Sequence, residues 1–172
     1  LDGNHRILNA VCPMLIGILS DTHDHVDRLR NAVARFQQEK VDMVIHAGDL
    51  VAPFAVRALL EWNGPLHVVY GNNDGERRGL KSLLPQIQDG PILVNCGGLK
   101  INVDHYPPDN VHQPLDEADV LVYGHTHQIV NERREGVLHL NPGECCGWVT
   151  GTATIATLDT DTLQAEIIHL EP

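Results

Sequence analysis

Residues 14–49 read MLIGILSDTHDHVDRLRNAVARFQQEKVDMVIHAGD. Residues 14–19 are a short apolar run that breaks into polar residues at Ser20, the pattern of a strand buried on both faces. Val26, Leu29, Val33 and Phe36 then recur at three- and four-residue steps with Arg28, Arg30 and Arg35 between them, which predicts an amphipathic helix. Residues 41–46 form a second apolar run. Outward from this unit the pattern repeats: a proline-opened helix over 53–62, a third strand over 66–70 and a short helix over 77–84. Alternating strands and helices imply a parallel sheet.

Beyond residue 90 the chain reads mostly as strands. Residues 91–94 and 99–104 flank Cys96-Gly97-Gly98 as a hairpin, residues 118–123 are a further buried strand, and residues 129–134 and 137–140 flank a turn at Glu135-Gly136. Residues 152–158 and 163–170 pair around the turn 159–162. With no repeat, linker or low-complexity segment, the expected architecture is α/β: two mixed sheets packed together with helices outside, a four-layer αββα sandwich. Residues 14–172 are read as one domain, and residues 1–13 as an N-terminal extension or expression remnant.

The composition excludes several classes. A hydrophobic fraction of 42% with 20% charged residues is that of a globular chain, not a disordered or coiled-coil one. Acidic residues outnumber basic ones by 23 to 12, and the resulting charge of -11 disfavours a phosphate backbone or an anionic membrane as partner. No stretch has the length of a membrane span. Four cysteines without Cys-x-x-Cys spacing, two of them adjacent, favour a reducing, cytoplasmic setting. Eleven histidines against seven aromatic residues is the unusual ratio, and it points to metal.

The candidate ligands have a regular placement: a strand end precedes each of them. Asp21 and His23 follow the first strand, Asp49 the second, Asn72, Asn73 and Asp74 the third, and His105, His125 and His127 two later ones. Ligands of α/β sheets sit beyond the carboxyl ends of strands, so these loops are expected to converge. Carboxylates mixed with imidazoles suit divalent transition ions: Mn, Fe, Ni, Co or Zn. Seven donors among these residues exceed one tetrahedral shell, and two ions sharing a carboxylate use all seven. The glycines at 48, 71 and 124 are read as sharp backbone turns. His46, inside its strand, is read as a supporting residue rather than a ligand, Asp24 as the cap of the first helix, and Arg77 and Arg78 as a solvated helix start.

Asp21-x-His23, Gly48-Asp49, Gly71-Asn72-x-Asp74, His105 and Gly124-His125-x-His127, in this order, resemble the calcineurin-like metallophosphoesterases, and within them the small prokaryotic phosphodiesterases, including the Asn141-Pro142-Gly143 loop. The resemblance implies that Asp21, His23 and His127 hold one ion, that Asn72, His105 and His125 hold the second, and that Asp49 bridges them. It further implies that a hydroxide between the ions attacks phosphorus in line. Two divalent ions offset four of the eleven negative charges, which makes the cleft locally positive for a phosphate ester.

Two positions depart from the family pattern. Asn73 stands where many members carry a histidine, and Tyr106-Pro107 follows His105 where a second histidine is common. An amide is no general acid, so Asn73 is read as a hydrogen-bond donor to a phosphoryl oxygen, with His25 or water as proton donor and Asp74 orienting Asn72 or its loop. Diesters with good leaving groups are then favoured over alkyl monoesters. The expected partner is a small-molecule phosphodiester, with self-association left open. The rival readings are a non-catalytic interaction scaffold of the same fold and a metal-dependent nuclease. The complete donor set speaks against the first, and the acidic surface against the second.

Overall fold

The computed structural model of the chain describes residues 12–108 and 117–171. Residues 1–11, including His5, residues 109–116, including His112, and residue 172 lie outside the described residues. In chain order the elements are β1 (Leu15–Leu19), α1 (Val26–Glu39), β2 (Met43–His46), α2 (Pro53–Leu59), β3 (Leu66–Val68), α3 (Arg77–Leu83), β4 (Ile92–Cys96), β5 (Leu99–Val103), β6 (Val120–Val122), β7 (Ile129–Arg134), β8 (Val137–Pro142), β9 (Thr154–Asp159) and β10 (Gln164–His169).

They build two five-stranded sheets in the orders β10-β9-β1-β2-β3 and β4-β5-β6-β8-β7. Both are mixed. β1, β2 and β3 run parallel in the first, as do β5, β6 and β8 in the second, with antiparallel neighbours completing each. The expected pair of mixed sheets is therefore what the chain forms. The period of two along each strand sorts the side chains. Ile16, Ile18, Met43 and Ile45 meet Ile101, Val103, Val120, Val122, Leu138 and Leu140 between the sheets. Leu19 and Val44 point the other way, under Leu29, Val33 and Phe36 of α1, Val56 and Leu59 of α2, and Leu80 of α3. The helices among the described residues thus all lie on the first sheet, and none follows α3 there.

α2 ends at Leu59, short of the expected residue 62, where Trp62 instead turns its indole N–H to the Pro65 carbonyl at 3.0 Å. Asp24 is not the cap of α1. His25 occupies that position, its Nδ1 accepting from the Arg28 N–H at 3.5 Å, while the Asp24 carboxylate accepts from Ala52 N–H at 2.8 Å and ties the first loop to the second.

Gly17 shows how close α1 approaches. A Cβ there would stand 2.7 Å from the ring of Phe36, which is fully buried. Gly17→Ala is expected to force α1 off the sheet and to destabilise the protein by about 2 kcal/mol, read as a lower urea midpoint with an unchanged slope.

Candidate metal centre

Pairing between the parallel strands continues past their ends into the loops. Asp21 N–H donates to the Gly48 carbonyl at 3.0 Å, Thr22 and His23 both donate to Asp49, and Gly124 donates to His105 at 3.0 Å. Across the sheets, Cys145 N–H reaches the Ser20 carbonyl at 3.0 Å and Cys146 N–H the Asp21 carbonyl at 3.2 Å. The strand-end loops of both sheets are thereby fastened into one cluster.

The backbone there is strained. Asp21, His23, Asp49, His125 and His127 all have positive φ, from 40° to 68°. Non-glycine residues hold this region at a cost, and such outliers gather at functional sites. Of the three glycines read as sharp turns, only Gly48 has positive φ, at 95°. The other two answer to close approach: a Cβ on Gly71 would stand 2.2 Å from Asp49 Oδ1, and one on Gly124 1.9 Å from Ser20 Oγ.

All seven expected donors face one hollow, in two groups. In the first, His127 Nε2 lies 3.4 Å from Asp21 Oδ1 and 3.3 Å from His23 Nε2. In the second, Asn72 Oδ1 lies 2.9 Å from His105 Nε2 and 2.8 Å from His125 Nδ1. Asp49 Oδ2 stands between them, 3.5 Å from His23 Nε2 and 3.4 Å from His105 Nε2. Donors held about 2.1 Å from one ion stand about 3.0–3.4 Å from each other in octahedral or tetrahedral shells. The spacings of 2.8–3.5 Å lie close to that edge length, and the longest within a group, His23 Nε2 to Asp21 Oδ1, is 3.8 Å.

Acceptors are in surplus. Asp21 is fully buried and its Oδ1 has no hydrogen-bond partner, while Oδ2 accepts from His125 N–H at 3.1 Å. Burial pushes its pKa up. A buried carboxylate oxygen without a donor demands a cation or a proton, and a divalent ion among imidazole lone pairs meets that demand. Burial also pushes Asp49 upward, but the hydrogen bond and charge of His105, with the bonds from Asn73, outweigh it and hold that carboxyl well below the usual range. For His105, burial acts downward and Asp49 more than reverses it.

The supporting residues fix which nitrogen faces inward. His105 Nδ1–H donates to the Ala47 carbonyl at 2.8 Å, leaving Nε2 to the hollow. His127 Nδ1 is 2.9 Å from Glu144 Oε2, with the same consequence. His46 accepts from Gly48 N–H at 3.2 Å through Nδ1, so its proton sits on Nε2, 3.1 Å from Thr22 Oγ1. Burial drives its pKa down to about 3, and the neutral ring clamps the first two loops together.

The remaining site expectations divide. Asp74 does not contact Asn72 through a hydrogen bond of its carboxylate; it accepts from the backbone N–H of Gly71, Asp49 and Val51 at 2.7, 3.1 and 2.6 Å and joins the second and third loops. Asn73 turns its amide onto Asp49 Oδ2 at 2.7 Å, and its backbone N–H to Oδ1 at 2.8 Å. His25 caps α1 and packs against Trp148, with ring centroids 5.5 Å apart. Arg77 pairs with Asp89 at 2.6 Å and lies over the Tyr70 ring. A cavity of about 320 Å³ adjoins the hollow on this side, lined by Tyr70, Asn72, Arg77, Asp104 and Tyr106 among others.

Glu144 escaped the sequence reading. It is fully buried and accepts from His127, from the backbone N–H of Trp148, Val149 and Thr150, from the Thr150 hydroxyl and from the Cys146 thiol. Burial raises its pKa, but these donors outweigh burial and bring it to about 2. Its place directly after Asn141-Pro142-Gly143 was the available signal.

Imidazoles, carboxylates and an amide oxygen gathered at the strand ends of a two-sheet sandwich define the metal-dependent phosphoesterase class. Residues 14–163 match the model of the calcineurin-like phosphoesterase superfamily domain, and the chain belongs to that family. The phosphodiesterase MJ0936 of Methanocaldococcus jannaschii is 42% identical over 166 residues, which span 92% of this chain and 100% of that one. Among solved structures, a novel archaeal phosphodiesterase superposes with a TM-score of 0.81 at 40% identity, covering 91% of this chain and 100% of its own. The Escherichia coli phosphoesterase YfcE follows at 0.70 with 21% identity, covering 92% and 100%, and shows the shared fold. The expected family, fold and phosphoesterase class are those the comparisons return. Among the described residues, no helix is long and apolar enough to cross a membrane.

Proposed function

We propose that the protein is a dinuclear metal-dependent phosphodiesterase acting on small-molecule phosphodiesters. Asp21, His23 and His127 hold one ion, Asn72, His105 and His125 hold the other, and Asp49 serves both. The observation that carries this reading is the position of Asp49 Oδ2, 3.5 Å from one group's imidazole and 3.4 Å from the other's. The donor set mixes nitrogen and oxygen without thiolate, which suits Mn, Ni, Fe, Co or Zn. When bound, such ions supply a hydroxide nucleophile at neutral pH and screen the charge of the phosphoryl group for in-line attack.

The chain's own groups prepare that chemistry. Glu144 and the Ala47 carbonyl hold His127 and His105 with Nε2 turned inward, and Asn73 keeps Asp49 ionised and oriented. The Asn73 amide has a second hydrogen for a phosphoryl oxygen. His25, whose Nδ1 accepts from the helix, carries its single proton on Nε2 and can offer a hydrogen bond there, while the proton for a leaving alcohol comes from water. With an amide at position 73, diesters that need little protonation are the better substrates. The four cysteines, without Cys-x-x-Cys spacing, suit a reducing cytoplasmic setting.

Chelator-treated protein reloaded with Mn or Ni is expected to hydrolyse bis(p-nitrophenyl) phosphate well above p-nitrophenyl phosphate and alkyl monoesters. Asp21→Ala and His127→Ala are expected to lose both metal and activity. Failure of every metal-loaded sample on every aryl diester defeats the reading.

A further inference from the structure

Trp148 is 63% exposed and Val149 71% exposed, although both sit beside a densely packed site. A tryptophan kept in water forgoes the burial that makes it valuable in a core. The exposure is not that of a loose loop. Glu144 accepts the backbone N–H of Trp148 at 3.1 Å and of Val149 at 2.9 Å, so the carboxylate that orients His127 also fixes the indole's base. The indole lies nearly parallel to the His23 ring, with centroids 6.5 Å apart and planes at 29°, and 5.5 Å from His25. A flat apolar face is therefore held on the outer side of the group formed by Asp21, His23 and His127.

The opposite flank differs. The cavity beside Asn72 is lined by Asp74, Asp89 and Asp104 together with Arg77 and two tyrosines, a polar and acidic setting. A phosphodiester has two ester arms, and its phosphorus must lie over the hollow between these flanks. We infer that Trp148, backed by His25, is a recognition wall for a flat aromatic ester group of the substrate, so that diesters with one aryl arm on this side are preferred over their alkyl counterparts. This rests on the phosphodiesterase reading and adds the class of ester arm. Stacking on an aromatic face is sequence- and substituent-tolerant and needs no hydrogen bond from the ligand.

The test varies only the arm that does not leave. Mn-loaded wild type, Trp148→Ala and Trp148→Phe are compared on phenyl p-nitrophenyl phosphate and methyl p-nitrophenyl phosphate, which share one leaving group. Trp148→Ala is expected to lower the phenyl-to-methyl ratio of kcat/KM about tenfold, chiefly through KM, and Trp148→Phe to restore most of it. An unchanged ratio overturns the inference, including the case in which both substrates suffer equally because Trp148 supports the loop or a contact between copies. A second arm does not depend on turnover. In a Trp62→Phe background the indole of Trp148 is the fluorophore, and its emission is expected to be quenched saturably by monophenyl phenylphosphonate and not by monomethyl methylphosphonate. No difference between the two ligands overturns the inference. Quenching without hydrolysis of any diester sustains the wall and removes the proposed activity.

Discussion

Asp49→Asn is expected to abolish phosphodiesterase turnover, lowering kcat/KM about a thousandfold or more, and to reduce the metal retained after gel filtration to less than one ion per chain. The reason is geometric as well as electrostatic. Both oxygens of Asp49 are engaged: Oδ1 accepts from Asn73 N–H at 2.8 Å, and Oδ2 faces both imidazole groups while accepting from the Asn73 amide at 2.7 Å. An asparagine has one acceptor and one NH₂. With its oxygen toward the hollow, the NH₂ opposes the Asn73 backbone N–H; flipped, the NH₂ points at His23 and His105. Either orientation leaves one function unmet, and neither carries a negative charge to offset the two cations proposed for the site. Metal content by elemental analysis, activity on bis(p-nitrophenyl) phosphate and far-UV circular dichroism together check the result. Retained metal and activity in a folded variant would contradict the shared-carboxylate site.

The second large effect is expected at Glu144, and it falls on stability as well as on metal. Glu144→Gln keeps the shape of the side chain but presents an NH₂ to a cup built from the N–H groups of Trp148, Val149 and Thr150. Buried donors left without an acceptor are costly, and a loss of about 3 kcal/mol is expected, or about 10 °C in Tm for the metal-free protein. The pH dependence has a definite sign. The folded pKa is about 2 against an ordinary 4.5, so the carboxylate's contribution is complete above pH 4.5 and is lost as pH falls through about 2. The Tm gap between wild type and Glu144→Gln should therefore be full at pH 7 and narrow in acid. Because Glu144 Oε2 also holds His127 Nδ1 at 2.9 Å, metal affinity should fall about tenfold to a hundredfold. A variant with wild-type Tm and wild-type metal affinity would show that the carboxylate supports neither the loop nor the histidine.

These two residues mark how unevenly the site was legible. Asp49 follows an apolar strand and a glycine, so its place at a strand end could be read from neighbours in the chain. The same holds for Asp21, His23, Asn72, His105, His125 and His127, each a few residues past a strand. Glu144 has a comparable position after β8, but its significance comes from His127, seventeen residues away, and from a loop that folds back over its carboxylate. Asp24 and His25 illustrate a local ambiguity. Either residue type can cap a helix, and only the approach of Ala52 from the second loop draws Asp24 away.

The order of strands and helices, the parallel core of the first sheet and the set of strand-end donors were determined by the sequence alone. They depend on periodicity and on chain neighbours, which a linear text preserves. The tertiary structure decided which glycines serve approach rather than turning, which nitrogen each histidine turns inward, that the described helices lie on one sheet, and that Glu144 anchors both His127 and the Trp148 loop. Each of these is fixed by the packing of residues far apart in the chain, where hydrogen-bond partners and excluded volume, not local propensity, choose among the conformations the sequence allows.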